Sequence, residues 1–107
     1  MDAYNTYIES CKTPKSQAKV EAIVIAILDL LRKGLTADQI ANELNQAKMF
    51  TIQGKPWNYY SLQMQIGKMA RLDPNSSLAW GLKVLIETGG AQYDDLRMLR
   101  QRTRCLN

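Results

Sequence analysis

Between Val20 and Leu31 the apolar residues Val20, Ile23, Val24, Ile27, Leu28 and Leu31 recur at i, i+3, i+4 and i+7, the spacing of one face of an α-helix. Ile25 and Leu30 lie off this stripe, beside Ala22 and Ala26. The predicted helix is thus apolar around most of its circumference, which suits a central core position or a subunit interface. Thr13-Pro14 marks its start, because proline's fixed φ and missing N–H suit the first helical position. Arg32 and Lys33 complement the negative end of the dipole and Gly34 stops the helix. Upstream, Tyr4, Tyr7, Ile8 and Cys11 have the spacing of a short helix over Asp2 to Cys11.

Four further segments keep the helical period. Thr36 caps a helix running to about Ala47, with Gln39 three residues later completing a capping box and Ile40, Ala41 and Leu44 facing inward. Met49 to Trp57 has no period, and Gln53-Gly54-Lys55-Pro56 predicts a tight turn or small hairpin. Asn58 caps the next helix, through roughly Arg71, with Tyr59, Leu62, Ile66 and Met69 along one face. Tyr59 and Tyr60 are expected to split, one inward and one outward. Asp73-Pro74-Asn75-Ser76 is a break. Ser76 or Ser77 then caps a helix with Leu78, Leu82, Leu85 and Ile86 inside, ended by Gly89-Gly90. A last helix from Gln92 to Arg104 carries Leu96 and Leu99 inward. The expected fold is all-α, a compact bundle of five to six helices. Every break is short, so residues 1–107 read as one domain.

Composition narrows the class. With 107 residues, 46% of them hydrophobic, the chain can bury one core. A net charge of +4, from 14 basic and 10 acidic residues, mildly favours an acidic partner. The longest apolar run, Ala22 to Leu28, is far short of the roughly 20 residues of a membrane span. The polar start Met1-Asp2-Ala3-Tyr4 does not resemble a signal peptide, so a cytoplasmic protein is expected. Cys11 and Cys105 form no CxxC pair and are expected to be reduced thiols, the alternative being a disulfide that requires the two ends to meet in space. With no histidine there is no Ser-His or Cys-His base and no His metal ligand. No cofactor, metal or catalytic residue is therefore expected.

The informative segment is residues 34–71. A capped helix with Ile40-Ala41 and Leu44-Asn45 is followed by Thr51, by Gly54-Lys55 and Trp57, by a polar cap, and by a second helix with Leu62 and Ile66. Together with Gly34 and Thr36, these positions resemble the DNA-binding "recombinase" helix-turn-helix domain that follows the catalytic domain of large serine recombinases, and related small proteins of phages and mobile elements. The resemblance covers about a third of the chain. It implies a DNA-contacting module and a regulator of phage or mobile-element type; the recombinases' separate catalytic domain has no counterpart here.

The residues support such a module on their own. Ile40, Leu44, Phe50, Trp57, Leu62 and Ile66 can form a small core that sets two helices against each other. The second then offers its polar side to a major groove about 12 Å wide. Asn58, Tyr60, Ser61, Gln63 and Gln65 near its N-terminus are the candidate base and phosphate contacts, since Asn and Gln pair with adenine through two hydrogen bonds and Tyr and Ser bond to phosphate. Lys55, Lys68 and Arg71 are candidate phosphate partners. Each has an ordinary alternative: Asn58 as a cap, Trp57 as core, the glutamines as solvated surface. So few cations on the reading helix imply weak or dimer-dependent binding.

Two features widen the reading. Arg97, Arg100, Arg102 and Arg104 form the densest basic run, either a clamp beside the motif or a solvated face partly balanced by Asp94 and Asp95. The apolar excess on the Val20–Leu31 helix suits a symmetric dimer, which would set two reading helices on half-sites about 34 Å apart. A protein–protein module, an inhibitor or adaptor built on the same scaffold, is the alternative to a sequence-specific DNA-binding protein.

Overall fold

The computed structural model describes residues 14–51, 53–73 and 75–105, with side chains described over residues 18–51, 53–73 and 75–102. The helix expected over Asp2 to Cys11, the Thr13 cap and the side chains of Arg104 and both cysteines lie outside these residues. Five helices follow in order: α1 (Pro14–Arg32), α2 (Ala37–Gln46), α3 (Tyr59–Ala70), α4 (Ser77–Thr88) and α5 (Tyr93–Cys105). No strand occurs among the described residues, so the fold is all-α, as the periodicity predicts.

Helix α1 begins at Pro14 and its stripe, Val20, Ile23, Val24, Ile27, Leu28 and Leu31, is buried in the chain's own core. It packs on α4 and α2. This stripe is therefore covered within one chain, whereas the apolar residues beside it are covered only in part. Ala26 and Leu30 also pack against the core, and the exposed apolar residues of the helix are a thin line of Ala18, Ala22 and Ile25 among charged Lys19, Asp29 and Arg32. Helix α3 is the hub, touching α2, α4 and α5, with Leu62, Ile66 and Met69 fully inside.

Local chemistry sets the ends. At α2 the Thr36 N–H donates to Gln39 Oε1 (2.9 Å) and the Gln39 N–H to Thr36 Oγ1 (3.3 Å), the predicted capping box. Helix α1 ends as a Schellman turn: Leu35 N–H donates to Leu30 O and Gly34 N–H to Leu31 O, with Gly34 at φ +84°. The same pair of bonds closes α2 and α3, but there the left-handed residues are Lys48 (φ +58°) and Leu72 (φ +50°). Both helices of the central pair thus end on a conformation that costs a side-chain-bearing residue about 1 kcal/mol or more.

Helix α5 is stitched across the bundle by its charged residues. Asp95, at the first turn of α5, accepts from Arg32 Nε (2.9 Å), pairs with Arg32 Nη2 (2.8 Å) and accepts from the Gln92 N–H (3.0 Å). Arg102 Nη2 donates to Leu35 O between α1 and α2 (2.6 Å), and Arg100 Nε donates to Ala70 O at the end of α3 (3.2 Å). A cation at a helix C-terminus also meets the negative end of its dipole.

Candidate nucleic-acid interface

Helices α2 and α3 pack together through residues 47–58, a connection longer than the usual helix-turn-helix turn. Its shape comes from three side chains. Thr51 closes a small loop: its N–H donates to Lys55 O (2.8 Å), its carbonyl accepts from Gly54 N–H (2.8 Å), and its Oγ1 accepts from Lys55 N–H (3.0 Å). Gly54 sits at φ +81° there, where a side chain would be strained. The result is a side-chain-closed loop, with a single backbone bond between Thr51 and Lys55 where a hairpin would build a ladder.

Asn45 and Trp57 then fix where the chain enters α3. The side-chain amide of Asn45 pairs with the Trp57 peptide as a strand neighbour would, donating from Nδ2 to Trp57 O (2.9 Å) and accepting on Oδ1 from Trp57 N–H (2.8 Å). The indole Nε1 donates to Met49 O (2.8 Å), and the ring is buried. Trp57 is core, as expected. Phe50 is only half-buried, which corrects its expected core place: the indole, bonded to the carbonyl of Met49, is what this connection sends inside.

Asn58 is the N-cap of α3, accepting from Ser61 N–H (2.9 Å), while Ser61 Oγ accepts from Asn58 N–H (3.0 Å). The two residues thus form a second capping box, with Ser in the position usually held by Glu or Gln. Tyr60 and Met64 point outward, at 80% and 53% exposure. Tyr59, expected to compete with Tyr60 for the inside, is also exposed and meets the Tyr60 ring edge-on, centroids 5.4 Å apart. The correction has a simple cause: Tyr59 opens the helix, one turn ahead of Leu62, where the packed part begins.

Along the rest of α3, Lys68 is half-buried and has no ion-pair partner among the described residues, and Arg71 is exposed, loosely paired with Asp73 (3.9 Å). Gln63 is half-buried on one flank. Gln65 is on the other, where its Oε1 accepts from Ser76 Oγ (3.2 Å). On that flank a cleft of about 350 Å³ separates α3 from the start of α4. Lys55 stands exposed on the connection.

The C-terminal arginines divide. Arg100 and Arg102 are tied to the carbonyls of Ala70 and Leu35, and Arg97 is exposed, 4.0 Å from Asp94. Sequence periodicity showed which arginines share a helix, but gave no sign that two would end on backbone carbonyls of other elements.

Charge is the feature most unevenly distributed. Residues 44–72 contain Lys48, Lys55, Lys68 and Arg71 and no Asp or Glu. The other residues hold the remaining 10 basic and all 10 acidic side chains. The entire +4 excess therefore belongs to the stretch containing the connection and α3. Against protein-family models, curated proteins and solved structures, the chain has no match; the likeness to the recombinase domain rests on the motif residues themselves.

Proposed function

We propose that this chain is a sequence-specific, non-catalytic DNA-binding protein, a cytoplasmic regulator of phage or mobile-element type that needs no cofactor and reads the major groove with α3. The observation that carries the reading is the coincidence of two properties in residues 44–72: they hold the whole excess of positive charge, and the outward side of their second helix exposes Tyr60 and Met64. Tyr60 and Met64 are best placed to meet base edges, Met64 by apolar contact with a thymine methyl. Asn58 and Ser61 already cap α3, and Gln63 and Gln65 sit on its flanks, so these four reach DNA from its margins. Lys48, Lys55, Lys68 and Arg71 supply phosphate contacts, with exposed Arg97 of α5 available for an added one.

Four phosphate contacts give a slope of log K against log salt of about −3 to −4 per chain. Selection from a random duplex pool at low salt, followed by salt titration of the selected duplex, tests this. A defined consensus with that slope supports the reading; a lack of retained duplex at low salt rejects it. A homodimer through Ala18, Ala22 and Ile25 of α1 would double the slope, and sedimentation in the presence of the duplex distinguishes the two states.

One observation favours a second reading. Tyr59, Tyr60 and Met64 put two aromatic rings and a flexible thioether on one exposed face, residue types enriched where proteins grip proteins. An inhibitor or adaptor would use this face on a protein. A stoichiometric protein partner that survives nuclease and high salt, and is lost on Tyr60→Ala, would establish that reading.

A further inference from the structure

The cleft of about 350 Å³ on the flank of α3 opens between that helix, the Thr51–Lys55 loop and the first turn of α4. Met64 forms part of its apolar wall; Gln53, Gln65, Lys68, Asn75 and Ser77 bring polar groups to it. Among the described residues Lys68 is the one ionisable group lining it, so they give the cleft a positive charge and no carboxylate. Asp73, the nearest acid in sequence, is not among the lining residues; its carboxylate accepts from the N–H of Asn75, which is, and pairs loosely with Arg71 (3.9 Å).

Position along the helix says what such a cleft would meet. At 100° per residue, Ser61, Gln65 and Lys68 fall on one shoulder of α3, beside the outward line of Tyr60 and Met64. An α-helix with side chains is about 10–12 Å across and a major groove about 12 Å wide. A helix lying in the groove points its outward line at the bases and its shoulders at the sugar-phosphate walls. A concavity on a shoulder therefore faces backbone and not base edges.

We infer that this cleft is a seat for a backbone phosphodiester of the strand bordering the groove occupied by α3, with the Lys68 ammonium as its counter-charge and the Gln53, Asn75 and Ser77 side chains as hydrogen-bond donors. The inference rests on the DNA-binding reading and adds that one flank of α3 positions without reading sequence. Gln65 belongs to this seat, held by Ser76, and not to the base-reading set.

The test uses the full chain, the duplex selected by wild type and a scrambled duplex of equal length. Lys68→Gln removes the counter-charge. Ser77→Asp puts a carboxylate into the cleft at the first residue of α4, whose first turn has no acid, so it suits the helix dipole and keeps or raises the melting temperature. Both variants are expected to weaken the two duplexes by the same factor, about eightfold at 0.1 M salt for one lost phosphate, and Lys68→Gln to flatten the salt slope by about 0.9. A folding defect cannot imitate a Ser77→Asp protein that melts no lower than wild type yet binds less DNA. The seat is overturned if both variants bind as wild type does while Tyr60→Ala loses preference for the selected duplex; the DNA-binding reading then stands without it. It is also overturned if the loss is confined to the selected duplex, which would mark a base contact. If wild type retains neither duplex at low salt, the seat and the reading beneath it fall together.

Discussion

Replacing Asn45 by Ala should destabilise the protein by about 2–3 kcal/mol, more than any other single polar truncation in α2. The side chain makes two hydrogen bonds, at 2.9 and 2.8 Å, to the carbonyl and N–H of the same residue, buried Trp57. Truncation leaves both groups unpaired at a partly buried site. An orphaned backbone group costs about 1–3 kcal/mol when fully sealed and less where water reaches it, so two such groups at a half-buried site give the figure above. A domain of this size has about 5–15 kcal/mol in hand, and the variant stays folded. With a urea m-value of about 1–2 kcal/mol/M, the unfolding midpoint falls by roughly 1–3 M. Tryptophan fluorescence follows the transition directly, because Trp57 is one of the two reporters. Asn45→Asp is the companion: its carboxylate still accepts from Trp57 N–H but sets an anionic oxygen against Trp57 O, so it should lose at least as much. If Asn45→Ala lies within 0.5 kcal/mol of wild type, using the destabilisation threshold for ordinary surface changes, the amide clamp does not hold the connection in place.

Other consequences are equally specific. The hydrogen bond from Arg32 is the main cause that holds the Asp95 carboxyl below its ordinary value, with the Gln92 N–H adding to it against the opposing effect of burial. A depressed folded-state pKa contributes stability above the unfolded value of 3.8 that fades as pH falls through the folded one. Asp95→Asn should therefore cost about 1–2 kcal/mol at pH 7, a modest value because Arg32 is nearly half exposed, and should reduce the acid sensitivity of unfolding below pH 4; an unchanged acid limb would refute the role of the pair. Lys48→Gly should raise stability by about 0.5–1 kcal/mol, because exposed Lys48 occupies a left-handed conformation at φ +58°; a loss in thermal melting would contradict that. Thr36→Ala should cost about 1 kcal/mol by removing the α2 cap, read by urea denaturation.

Local signals made much of this fold legible in the sequence. The stripe from Val20 to Leu31 named the core helix, and Thr36, Asn58 and Ser76 marked three helix starts because their side chains act within three residues of themselves. What escaped was non-local or chemically untypical. Lys48 and Leu72 terminate helices without the glycine that advertises a left-handed turn. Asn45 reaches across the connection to Trp57, and its purpose depends on where that loop returns. Arg32 and Asp95, 63 positions apart, meet only because α5 packs back on the bundle. At the candidate interface, helical periodicity found the buried face of α3, but the hydrogen bond from Ser76 that ties Gln65 to its flank is non-local. For that reason Gln65 looked equivalent to Gln63 and Tyr60, and the place of Met64 on the exposed line went unnoticed. The buried stripe of α1 finds its cover within the same chain, while Ala22 and Ile25 beside it stay exposed.

The most direct check on the central claim is an amide chemical-shift titration of the labelled chain with the duplex it selects. Perturbations should gather in residues 48–77, strongest at Tyr60, Met64 and Lys68, and fade together as salt is raised. Shifts centred instead on the exposed line of α1, or no shifts at a duplex excess in low salt, would contradict it.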